Sequence, residues 1–242
     1  TGGDWTYGEV IIPSIYEGLP VTKIPDGGFQ SAYDMTAVSI PSTITTIGDN
    51  AFNGCIALTK IVIPEGVTSI GKQAFENCST MTEIEISSTV HTIGERVLHF
   101  CSALENITVA EGNSAYKSID GVLYNKDGTM LIKYCNAKKD TTFIIPDGVT
   151  TIAIHAFSTS HNLTSVTLPD SVTHIGSAAF FWCTHLVSIN IPDGVDVIRE
   201  GMMRGCYELR NVDMGSGVKI IEDDAFYACQ IESIDLPEGL TS

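Results

Sequence analysis

Residues 58–80 read LTKIVIPEGVTSIGKQAFENCST, and most of the chain repeats this unit with a period of 23. Leu58 returns as Met81 and Leu104, and later as Leu163, Leu186 and Leu209. Proline keeps the same register at Pro41, Pro64, Pro146, Pro169 and Pro192. Cysteine keeps it at Cys55, Cys78, Cys101, Cys183, Cys206 and Cys229. An aromatic column runs through Phe29, Phe52, Phe75, Phe157, Phe180 and Phe226. Self-similarity at a fixed period of this size is the signature of a solenoid, in which no unit buries its apolar side alone.

Each part of the unit has a physical reading. Ile61 and Ile63 alternate with Lys60 and Val62, the period-2 pattern of a strand with one buried face. Pro64 ends the strand because it cannot donate to a ladder, and Pro64-Glu65-Gly66 makes a turn. Val67 and Ile70 point inward on a second short extended segment. Lys72 to Asn77 is expected to form about one helical turn, which would direct Ala74, Phe75 and Cys78 into the core. Strands of successive units would pair in parallel, about 4.8 Å apart.

Outward from this unit, residues 1–34 form an irregular first turn, in which Val10 to Ile12 read as the opening strand and Trp5 and Tyr7 are expected to cap the coil. Val21, Ile24 and Phe29 rejoin the register of Ile44, Ile47 and Phe52. Regular turns span 35–103. A turn at 104–139 carries two apolar runs, Gly121–Asn125 and Thr129–Tyr134, around Lys126-Asp127-Gly128. This reads as a β-hairpin replacing the Ala-Phe-x-x-Cys half of that turn. Regular turns resume over 140–242, the last incomplete, and the turn starting at Leu209 is one residue short. The expectation is one elongated domain, 1–242. The broken last turn suggests that the natural protein continues or that a partner covers this end. With no initiator Met and no leader visible, any signal peptide is expected to have been removed or to lie outside the sequence.

Composition narrows the function classes. Apolar residues make up 43% of the chain, and no run is long enough to span a bilayer. The formal net charge of −16 disfavours nucleic acid and anionic membrane surfaces, which reward basic patches. Six of the seven cysteines share one column, and a spacing of 23 is not a zinc spacing, so they read as reduced packing residues. Six histidines, His91, His99, His155, His161, His174 and His185, read as surface polar residues. His161 and His185 could approach each other across adjacent turns, but two ligands do not define a metal site. The turn acids Glu65, Asp147, Asp170, Asp193 and Glu238 could attract Ca²⁺, yet turn formation explains them. No nucleophile elbow, H-E-x-x-H helix, P-loop or G-x-G-x-x-G is present, so no enzyme is expected and no cofactor is implied. Asn77-Cys78-Ser79, Asn106-Ile107-Thr108 and Asn162-Leu163-Thr164 fit the glycosylation sequon, which matters only in a eukaryotic source.

The unit L-x-x-I-x-I-P-x-x-V-x-x-I-G-x-x-A-F-x-x-C resembles the BspA-like leucine-rich repeat family of bacterial and protist surface proteins. The likeness runs from about Val21 to Leu240, and the insert Asn113–Tyr134 resembles one recurring in the family. Departures are Val97-Leu98 and Met202-Met203 for Ala-Phe, Ser160 for Cys and Gly215 for Pro. The fold class expected is therefore α/β: a right-handed leucine-rich repeat solenoid. Each 23-residue repeat would contribute a short parallel strand, a second extended segment and a short helical turn.

The resemblance implies a secreted or cell-surface protein that binds a host matrix or cell-surface protein. The expectation is a monomeric, non-enzymatic adhesion module, without membrane insertion. The candidate binding surface is the exposed side of the parallel sheet: Lys60, Val62, Glu83, Glu85, Asn106 and Thr108, then Ser165, Thr167, Ser188, Asn190, Asn211 and Asp213. Ala37 and Ser39 extend it at one end, and Ser233 and Asp235 at the other. Two alternatives stay open. One is a spacer presenting a further domain. The other is glycan binding through Phe100, Phe181, Trp182, Tyr207 and Tyr227 beside the cysteine column, since exposed aromatics often mark interaction sites.

Overall fold

The computed structural model describes residues 8–241; Trp5 and Tyr7 lie outside that range. The chain falls into two compact units, residues 1–121 and 122–242.

In the first unit the leading strands stack in parallel. Gly8–Ile11 pairs with Met35–Ser39. Lys60–Ile63, Glu83–Ile86 and Asn106–Val109 pair in unbroken register, Ile61 beside Ile84 and Ile84 beside Ile107. The second segments form their own parallel ladder: Lys23–Ile24, Thr46–Ile47, Ser69–Ile70 and Thr92–Ile93. Every inward position expected from the unit is buried: Leu58, Ile61, Ile63, Val67, Ile70, Ala74, Phe75 and Cys78. The phenylalanines stack with centroids 5.3 Å apart for Phe29 and Phe52, and 5.4 Å for Phe52 and Phe75. Offset stacking of this kind adds to the burial of the rings.

The third segment of each turn is not helical, which corrects the expected helical turn and the α/β class: the described residues form a β-solenoid without helix. Its hydrogen bonds explain why. The N–H groups of Asn50, Phe52 and Gly54 donate to the carbonyls of Lys72, Ala74 and Glu76 in the next turn, at 2.8 Å each. The alternate N–H groups of Ala51, Asn53 and Cys55 donate three residues back, to Gly48, Asn50 and Phe52. Half of the donors an α-helix needs are therefore spent on the neighbouring turn. Two left-handed residues per turn, such as Asn50 (φ 56°) and Gly54 (φ 76°), aim them there.

The glycine after the second strand has a separate reason. A Cβ on Gly71 would lie 2.5 Å from Asp49 N and 2.6 Å from Gly48 C, so the backbones of adjacent turns touch there. Gly48, Gly94 and Gly176 are crowded in the same way.

At the end of the first unit, Asn113 is buried and closes the turn. Its Nδ2 donates to Ser87 O (2.8 Å) and Val90 O (2.9 Å), and its Oδ1 accepts from Ala115 N and Tyr116 N.

The second unit opens with the expected hairpin, Val122–Asn125 antiparallel to Met130–Lys133. Asn125 shapes its turn, accepting Met130 N at 2.9 Å. The hairpin does not displace the aromatic half of its turn. Its second strand pairs in parallel with Thr151–Ile152, and Tyr134 stacks on Phe157 at 5.2 Å. Tyr134 thus takes the phenylalanine place and Lys133 the alanine place before it. The leading strands Thr142–Ile144, Ser165–Thr167, Ser188–Ile191 and Asn211–Met214 then pair in parallel. After Asn211–Met214 the ladder stops: residues 231–236 form no strand. Ile231 and Ile234 still pack against the core there.

Candidate functional site

The open face of the leading strands carries the predicted residues. In the first unit two rows run across the turns. One holds Lys60, Glu83 and Asn106; the other holds Val62, Glu85 and Thr108, each directly paired in register. Lys60 Nζ bridges Glu83 (3.2 Å) and Glu85 (2.5 Å), with the lysine and both carboxylates partly exposed. The hydrogen bonds to Glu85 and Glu83 raise the lysine pKa. Asn106 Nδ2 donates to Thr108 Oγ1 at 3.1 Å and to Glu83 Oε1 at 3.4 Å.

The first strand extends both rows. Glu9 pairs with Ala37 and Ile11 with Ser39, so Ile11 lies in the Val62 row. Ile11 is 73% exposed and Val62 47%.

In the second unit the rows are Thr142, Ser165, Ser188 and Asn211, and Ile144 with Thr167; Asn190 and Asp213 pair in the second of these. Ile144 is 74% exposed. Sequence reasoning missed Glu9, Ile11, Thr142 and Ile144; the strand that carries Glu9 and Ile11 lies outside the 23-residue register. A 23-residue step back from Ser165 and Thr167 reaches Thr142 and Ile144 and could have found them, whereas Ile11 lies 28 residues before Ser39 and only the pairing reveals it. Ser233 and Asp235 do not join the face, since no strand forms there.

Asn190 has a different role from its neighbours. Its Oδ1 accepts Leu168 N at 2.9 Å and its Nδ2 donates to Leu168 O at 2.8 Å. It therefore satisfies the backbone where the preceding strand ends, and its amide is not available to a ligand in this state.

The other candidate groups resolve as follows. The turn acids reach into the next turn: Glu65 accepts Ser88 N and Oγ at 3.0 and 2.9 Å, and Asp193 accepts Ser216 N and Oγ at 2.7 and 2.9 Å. These bonds hold both carboxyls below the usual range. His161 and His185 do meet: His185 Nδ1 lies 2.6 Å from His161 O, and His161 Nδ1 2.9 Å from Thr184 Oγ1. Burial and the neighbouring His185 both lower the His161 pKa. Among the described residues no three potential metal ligands cluster.

His99 corrects the surface reading of the histidines. It is buried against Glu76, with Nδ1–Oε1 at 2.8 Å. Arg96 bonds the same oxygen at 2.7 Å, and Asn53 and Gln73 donate to Oε2. Phe100, expected among the outward aromatics, instead packs its ring 3.8 Å from that of His99. Phe181 is half-buried, while Trp182, Tyr207 and Tyr227 are exposed.

The cysteines are thiols. Cys55, Cys78, Cys101, Cys183 and Cys206 each donate Sγ–H to a carbonyl of the aromatic column one turn back, at 3.1 to 3.3 Å. Burial pushes the Cys55 thiol up to about 11 and Cys183 to about 12, which keeps the donor proton in place.

Comparison with known proteins agrees with this architecture. A leucine-rich repeat protein from Eubacterium ventriosum is 25% identical, with a TM-score of 0.75 over 96% of this chain and 79% of that one. A leucine rich cell surface protein from Faecalibacterium prausnitzii is 30% identical, with a TM-score of 0.61 over 96% of this chain and 82% of that one. The pneumococcal vaccine antigen PcpA, 18% identical with a TM-score of 0.67 over 97% and 83% of the two chains, shares the fold. No curated protein matches the chain. The BspA type leucine rich repeat region is matched in six copies over residues 22–125 and 131–242. The chain belongs to the BspA type leucine-rich repeat family.

Proposed function

We propose that the protein is a non-enzymatic, cell-surface binding module that recognises a protein through the open face of its leading strands. The observation that carries this reading is the set of exposed aliphatic side chains on the leading strands of each unit, Ile11 and Val62 in the first and Ile144 in the second. Ile11, Val62 and Ile144 are exposed at 73%, 47% and 74%. Strand propensity is met as well by threonine, as at Thr108 and Thr167 in the same rows. Leaving such side chains in water gains no folding energy, whereas burying one against a partner is worth about 1.5–3 kcal/mol. The acidic and amide groups around them supply a polar rim. The cell-surface description of the Faecalibacterium relative supports the location.

The test is a binding screen of the purified chain against immobilised matrix, plasma and cell-surface proteins. It runs beside a variant carrying Glu83→Lys, Glu85→Lys, Asn211→Lys and Asp213→Lys. The expected result is a bound protein whose binding the variant loses. Binding that the variant retains would move the site off this face, and silence from the wild type would remove the reading.

A further inference from the structure

Trp182 presents a partly exposed indole on the third-segment ladder. It lies in the left-handed column, with φ 56°, a conformation that costs an L-residue roughly 1–2 kcal/mol. In the following turns the same place is taken by Gly205 and Ala228, and in an earlier turn by Phe100, whose ring packs on His99. Trp182 is nevertheless 44% exposed, so a large part of the indole stays open to solvent.

The ring is held in position from two sides. Phe181 stacks parallel to it, with centroids 5.6 Å apart and planes within 2°. Gly205 lies against the indole: a Cβ there would come within 2.1 Å of Cδ1 and 2.6 Å of Nε1. The ladder of the third segments fixes the neighbours. Trp182 N donates to Arg204 O at 2.8 Å, and Gly205 N to Tyr227 O at 2.9 Å. Arg204 lies 4.7 Å over the Tyr227 ring and pairs with Asp224. Tyr207 and Tyr227 are 45% and 59% exposed.

We propose that this group is a saccharide platform, taking the C–H face of a neutral pyranose on or beside the Trp182 indole. A pyranose has one apolar face and a rim of hydroxyls that both donate and accept. The adjoining turns offer the matching parts: a fixed ring, an Arg204–Asp224 pair with donors and acceptors, and the Tyr227 phenol. An apolar protein surface would instead strip water from Arg204 and Asp224 without replacing those bonds. The chain's net charge of −16 selects against acidic sugars. The platform is independent of the strand face.

The experiment uses an immobilised panel of chito-, manno- and galacto-oligosaccharides of three to six sugars, beside sialylated and sulfated ones. Any binder is then titrated by calorimetry against the wild type, Trp182→Ala, Trp182→Phe, Gly205→Ala and the strand-face variant Glu83→Lys/Glu85→Lys. The expected result is binding of a neutral oligosaccharide that Trp182→Ala weakens at least about ten-fold. Trp182→Phe should retain part of it, Gly205→Ala should weaken it by displacing the ring, and the strand-face variant should leave it unchanged. Because Trp182→Phe keeps a stacking ring, it separates loss of the site from loss of the fold. A silent panel, binding confined to acidic glycans, or binding that both Trp182→Ala and Gly205→Ala retain would overturn the proposal. So would a protein ligand that depends on Trp182 while no sugar binds.

Discussion

Cys78 Sγ lies 3.3 Å from the carbonyl oxygen of Phe52, one turn back, and both residues are fully buried. The thiol is thus both a packing atom and a donor. Serine at this position would have a shorter bond to a smaller atom. Ser160, which replaces cysteine in one turn, shows the consequence: its buried hydroxyl has no hydrogen-bond partner. Cys78→Ser is therefore expected to cost about 2 kcal/mol, more than Cys78→Ala, because it strands a buried hydroxyl. The reverse change, Ser160→Cys, should stabilise by about 1 kcal/mol by reaching the Tyr134 carbonyl. Thermal midpoints of the three variants check both halves.

Gly71 and Gly148 separate two reasons for glycine. Gly148 sits at φ 89° with open space where a Cβ would go, so Gly148→Ala meets only backbone strain, about 1–2 kcal/mol. Gly71 does not adopt a positive φ, and a Cβ there would enter the backbone of the preceding turn. Gly71→Ala is expected to cost about 3 kcal/mol or more, at the upper end of overpacking, because backbone cannot move aside as a side chain can. Denaturant midpoints of the two variants should rank in that order.

The periodic core was legible because burial selects the same side chains at the same step. Ile61, Phe75 and Cys78 could be placed inward from spacing alone. The third segment was not legible as a ladder. Asn50, Gln73 and Arg96 adopt positive φ, yet none is glycine, so no residue type announces the break from helix. The role of Tyr134 was hidden because its spacing from the preceding repeat is wrong, and only pairing with the following turn restores it. On the strand face, alternation placed every side chain but could not tell Asn190, which clamps Leu168, from Asn211, which is exposed.

That distinction is measurable. Asn190→Ala removes both bonds to Leu168 and leaves a strand end unsatisfied, so it is expected to lower stability by about 1–3 kcal/mol. Asn211→Ala, one turn on, should leave stability within about 0.5 kcal/mol. If the two variants melt together, the clamp contributes nothing.

Val62 offers the matching test for binding. Val62→Asp places a charge beside Glu85 on an exposed strand face, where surface changes are worth about 0.5 kcal/mol or less for the fold. Burial against a partner would instead make the charge costly, so affinity for a protein ligand should fall about ten-fold or more while the melting curve stays in place. Equal affinity of the two proteins would show that the Val62 row is not covered.

Glu76 predicts a pH dependence. Burial opposes its charge, yet hydrogen bonds from His99 and Gln73 and the Arg96 guanidinium more than offset this and bring its pKa down to about 2. A folded-state pKa below the unfolded value means that the carboxylate stabilises the fold above the ordinary carboxylate range, near 4.5, and that this stability is lost as the pH falls toward 2. Glu76→Gln removes the titrating group. The difference in melting temperature between wild type and Glu76→Gln should therefore be largest near neutral pH and shrink progressively between about pH 4.5 and pH 2. At neutral pH, Glu76→Ala should be costlier still, about 3 kcal/mol, since it leaves His99 and Arg96 facing each other without their anion. A wild-type minus Glu76→Gln difference that stays flat across the acid range would mean that folding does not lower the Glu76 pKa.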